Sequence, residues 1–135
     1  MSGRHRALVV GLAAASLLVG ALLVLSASRL CPSDQAGRPC PDATAHRVLV
    51  VGLAATGIAL LVAPLAFLAE YVARRRIVYR GAWPRAARRA AIAGAVMASL
   101  AGLRLGGALT VAVALFILFL AGVVEWFAVR RLDAS

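Results

Sequence analysis

Lysine and asparagine are absent from this sequence, and acids are scarce: Asp34, Asp42, Glu70, Glu125 and Asp133 stand against fifteen arginines, a formal charge of +10. Without asparagine there is no N-glycosylation acceptor. Histidine is confined to His5 and His46 and cysteine to Cys31 and Cys40. Each scarcity excludes a chemistry. Both histidines lie outside the apolar runs, which excludes paired intramembrane haem ligation. Cys31, Cys40 and His46 lack a fourth ligand and a recognised metal spacing. There is no zinc-protease motif, no pair of intramembrane aspartates and no glycine-rich phosphate loop. No active site can be assembled, so we expect no enzymatic activity, no cofactor and no metal. The dominance of Ala, Leu, Val and Arg is the codon bias of a GC-rich genome, so arginine in place of lysine is weak evidence for phosphate chemistry. No retention, prenylation or myristoylation signal stands at either end, and a bacterial plasma membrane is the expected location.

What is present is apolar sequence. Of 135 residues, 63% are hydrophobic and 15% charged, and the mean hydropathy is +0.92, values that rule out an ordinary soluble enzyme. Crossing a hydrocarbon core of about 30 Å takes roughly 20 apolar residues at 1.5 Å each. Residues 7–27 and 48–73 satisfy this, the second run stopping at Arg74, Arg75 and Arg76. From Ala90 to Val129 only Arg104 and Glu125 are charged, and one helix of that length would be about 60 Å long. Gly106 and Gly107 supply the turn. The resulting spans are 84–105 and 108–129. Ala90 to Leu105 alone is short, about 24 Å. Starting the helix at Trp83-Pro84 restores its length, with Arg85, Arg88 and Arg89 snorkelling to the surface. Pro64 removes a hydrogen bond to the Leu60 carbonyl and predicts a kink. The expected fold is an all-α membrane protein, one domain of four transmembrane helices over residues 1–135, with an outer loop at 28–47 and a basic loop at 74–89.

With both termini and the 74–89 loop on one face, that face carries eleven arginines and the opposite face four: Arg29, Arg38, Arg47 and Arg104. The excess of positive charge on inner faces places both termini in the cytoplasm. The first run also reads as a cleavable signal peptide ending near Ser26-Ala27-Ser28. Its core of about 20 residues exceeds the roughly 7 to 15 of signal cores, so an uncleaved anchor is expected. Two helix ends read alike: Glu70-Tyr71-Val72-Ala73 before arginines, and Glu125-Trp126-Phe127-Ala128 before Arg130 and Arg131. A duplicated helical hairpin accounts for this. So does the tendency of any inner-face helix end to gather aromatics and arginines.

Four constellations are candidates for function. Gly94, Ala98, Gly102 and Gly106 recur every four residues, a small-residue stripe that admits a neighbouring backbone, in this chain or in a partner; Ala7, Gly11 and Ala15 form a shorter one. Cys31 and Cys40, each followed by proline, fall on the predicted oxidising side and read as a disulfide clipping the outer loop. Thiol-disulfide oxidoreductase activity is the rival reading, but quinone-coupled disulfide-forming enzymes relay electrons through a Cys-x-x-Cys pair that this chain lacks. Arg74, Arg75, Arg76, Arg80, Arg85, Arg88 and Arg89, interleaved with Tyr79 and Trp83, suit anionic lipid headgroups or an acidic protein face. No nucleic-acid motif accompanies the charge, so no nucleic-acid partner is expected. Glu70 and Glu125, acids within apolar runs, are candidates for proton coupling by default. Each sits about one turn from the inner headgroups, and Glu70 lies four residues before Arg74, the spacing of a helical ion pair. Small multidrug resistance transporters carry their essential glutamate deep in the first span, and span one here has no acid. The sequence points to a non-enzymatic accessory or scaffold subunit that packs with other membrane subunits or with itself. A small proton-coupled or multidrug-type transporter is the alternative.

Overall fold

The computed structural model describes residues 3–29, 41–73 and 82–133. Four helices occupy them: α1 (Gly3–Arg29), α2 (Ala43–Ala73), α3 (Ala82–Leu105) and α4 (Val111–Asp133). All four are long and apolar enough to cross a membrane. The chain is an all-α, four-helix, multi-pass membrane protein. Helices outrun the apolar runs because in lipid the backbone must satisfy its own polar groups, and continuing the helix into the headgroup region does so. Thus α2 starts at Ala43 rather than at 48, and its first turn includes Thr44 and His46. The connection between α1 and α2 is correspondingly shorter than 28–47, and α3 starts at Ala82, two residues before the expected Pro84. Cys31, Cys40, Arg74, Arg75, Arg76 and Arg80 lie outside the described residues.

The turn between α3 and α4 falls at the paired glycines. Gly107 has φ +72°, in the left-handed region where a side chain is costly. Its N–H donates to the Arg104 carbonyl at 3.1 Å, and the Ala108 N–H donates to Leu103 at 2.9 Å. Those two bonds form a Schellman motif that satisfies the last carbonyls of α3. Thr110 then caps α4, its Oγ1 accepting from the Val113 N–H at 3.3 Å, so α4 begins at Val111 rather than at 108. At the start of α2, Asp42 takes φ +61°, and its carbonyl accepts the first helical bond from the His46 N–H at 3.1 Å. Aspartate is among the few side chains that tolerate this conformation.

The helices pack in chain order, α1 on α2, α2 on α3 and α3 on α4, as a row rather than a closed ring. The α2–α3 pair is the most intimate. A Cβ on Gly94 would stand 3.2 Å from the Ala55 carbonyl oxygen and 3.3 Å from the Ala59 Cβ, so only glycine allows this approach without a shift. Ala86, Ala90 and Ala54 are buried with it. The seam thus includes Ala86, Ala90 and Gly94, so it meets the predicted stripe at Gly94. At Gly102 a Cβ meets nothing within 4 Å, and at Gly106 it meets only the preceding turn of its own chain. The α1 stripe faces outward, with Gly11 open. Instead α1 meets α2 where the Val19 side chain lies 3.4 Å from a Cβ built on Gly57. Ser16, Ser26 and Ser99 bond carbonyls of their own helices, as isolated hydroxyls in lipid do. Pro64 is buried inside α2, and helix is assigned on both sides of it.

Candidate functional site at the arginine-rich end

Helix α3 opens with Arg85, Arg88 and Arg89 and has no acid in its first turn. That is the wrong sign for a helix N-terminus, where the backbone dipole is already positive. The compensating charge comes from its neighbours. Glu70, near the end of α2, accepts from Arg85 Nε at 3.2 Å. Glu125, near the end of α4, receives two guanidinium groups on one oxygen, Arg88 Nη2 and Arg89 Nε, each at 3.2 Å. Arg88 Nη1 also reaches the Ala128 carbonyl at 3.5 Å. The two acids within apolar runs thus flank one helix start, and both face arginine.

Arg85, Arg88 and Arg89 thus each reach an acid on a neighbouring helix. Glu70, whose side chain is 12% exposed, pairs across the α2–α3 seam with Arg85. The proposed helical partner, Arg74, lies outside the described residues. Glu70 Oε2, Glu125 Oε2 and Arg88 Nε are buried without a hydrogen-bond partner among the described residues.

An aromatic stack lies beside the ion pairs. Phe67 is 1% exposed, stacked on Trp83 at 4.5 Å between centroids and met edge-on by His5 at 5.7 Å. Three helices are joined by these rings, and they place the start of α1, the end of α2 and the start of α3 at one end of the molecule. Trp83 is therefore packed against α2 through Phe67. Phe67 was not singled out from the sequence; its place three residues before Glu70, on the same face of α2, is the signal that marks it. At the end of α4, Arg130 lies 4.2 Å over the Trp126 ring, a pairing suited to headgroup depth.

Between α3 and α4 the packing opens into a lateral groove of about 390 Å³. Arg89 and Glu125 stand at one end, and the remaining wall is apolar, with Ile92, Val96 and Leu100 from α3, Leu118 from α4 and Ile58 contributed by α2. No cluster of three or more metal-ligating side chains occurs among the described residues. The chain matches no family model, no curated protein and no solved structure.

Proposed function

We propose that this small multi-pass membrane protein is a non-enzymatic accessory or scaffold subunit of a membrane complex, resident in a bacterial plasma membrane with both termini in the cytoplasm. One observation carries the reading. Both acids within the apolar runs, Glu70 and Glu125, are engaged by arginines at one end of the molecule, which favours a structural ion-pair role for them over one in transport. The intervening apolar segments contain no charged residue, which leaves a proton-coupled transporter without a relay at mid-membrane.

Two further features support a partner subunit. The outer helices α1 and α4 bury none of their most apolar windows within the chain. They present large side chains such as Leu17, Leu18, Phe116 and Phe119 outward, together with the open Gly11 on α1. Such a surface meets either lipid or another helix, and in lipid close packing at small residues is what selects a partner.

Gentle purification of the tagged protein from its native membrane in mild detergent, followed by mass and composition analysis, tests this reading. A stoichiometric complex with other membrane proteins is expected. A homogeneous monomer or self-assembly contradicts it and brings transport forward, with Glu70 and Glu125 as the residues to change.

A further inference from the structure

We propose that the α3–α4 groove is a binding site for one anionic phospholipid, its phosphate on Arg89 and one acyl chain along the groove. The charge of the groove mouth argues for the headgroup. Among the described residues Arg88 and Arg89 share a single carboxylate, Glu125, which leaves one positive charge in excess among the three. Arg89 spends only its Nε on Glu125 among the described residues. Its side chain is 42% exposed, so the terminal nitrogens remain as donors for an anionic oxygen.

The length and lining of the groove argue for the chain. On α3 its wall runs from Arg89 to Leu100, eleven residues or about 16 Å. That is half of a hydrocarbon core of about 30 Å, the reach of one leaflet. Below the Arg89–Glu125 pair every wall residue is apolar, with Val96, Met97, Leu100 and Leu118 among them. The ion pair lies at the same end as Trp83 and the helix termini, where headgroups sit. The Arg85–Glu70 pair on the opposite side of α3 is balanced in charge and borders the close α2–α3 seam.

The site is tested on the purified full chain, independently of any complex, so its failure is separable from failure of the subunit reading. The protein is reconstituted in phosphatidylcholine vesicles containing a trace of phosphatidylglycerol with a photoactivatable diazirine in its acyl chain. Crosslinked residues are mapped by peptide mass spectrometry. Crosslinks are expected to concentrate on residues 92–100 and 118–121, and unlabelled phosphatidylglycerol should compete far better than added phosphatidylcholine. Arg89→Gln is expected to cut that preference about fivefold, the factor corresponding to about 1 kcal/mol for one arginine at an anionic surface. Labelling spread evenly over the outer faces of α1 and α4, or equal competition by both lipids, overturns the proposal. So does a groove that the probe never labels because a second copy of the chain occupies it. The mapping is done on the unaltered protein and does not depend on whether the variant folds.

Discussion

Helix α3 meets its two neighbours in different ways. Toward α2 it presents Ala86, Ala90 and Gly94, and the backbones approach until a Cβ on Gly94 would force its neighbours to shift by a few tenths of an ångström. Toward α4, one residue round the helix, it presents Arg89, Ala93, Val96 and Leu100, and the helices stand apart around a groove with the Glu125 ion pairs at one end. In lipid, apolar burial gives helices little reason to associate, so dispersion at close approach and polar contacts decide which pairs hold. The α2–α3 pair combines dispersion along a seam with the Arg85–Glu70 ion pair at its end. The α3–α4 pair relies on one polar clamp and a short, well-capped turn.

The largest effect is expected at the buried stack beside the seam. Phe67→Ala removes the ring between His5 and Trp83 and should lower the free energy of unfolding by about 3 kcal/mol, the low end for such truncations because the lost burial is against lipid. Gly94→Leu should follow at about 2 kcal/mol from overpacking against the Ala55 backbone, whereas Gly102→Leu, with open space around it, should be neutral. Equal costs at the two glycines would mean that the α3 stripe packs as a whole and that the contrast between its faces is wrong. A smaller loss, about 1 kcal/mol after discounting for partial exposure, is expected for Glu125→Gln, which leaves Arg88 and Arg89 sharing a neutral amide. All four variants are compared by reversible unfolding in a fixed detergent mixture.

Much of the fold was legible because span length and turn chemistry are local. The four apolar runs, the Gly106-Gly107 turn and a helix start at Trp83-Pro84 were all readable from neighbouring residues. The seam was not. Small residues recur at every fourth position from Ala86 to Gly106, and sequence gives no sign of which part of that row a neighbour covers. Ala86 and Ala90 lie among arginines and read as headgroup-region residues, yet they are buried. The acids themselves were visible as exceptional residues, but their partners were not, since the pairings cross from helix to helix. The contrast between the resembling helix ends is equally tertiary: Glu125 pairs with the helix before its own and Glu70 with the helix after. A local match between the two ends carries no trace of that difference.

The central claim is that α4 is held to α3 through Glu125 while α2 is held by the seam. Spin-label distances in lipid nanodiscs test it most directly, with labels at Ala91 and Val124 for the α3–α4 pair and at Leu65 and Ala91 for the α2–α3 pair, in a chain whose Cys31 and Cys40 are replaced by serine. Glu125→Gln should broaden the Ala91–Val124 distribution toward longer distances and leave Leu65–Ala91 unchanged. An α3–α4 distance indifferent to the loss of Glu125, or both distances widening together, would contradict the account.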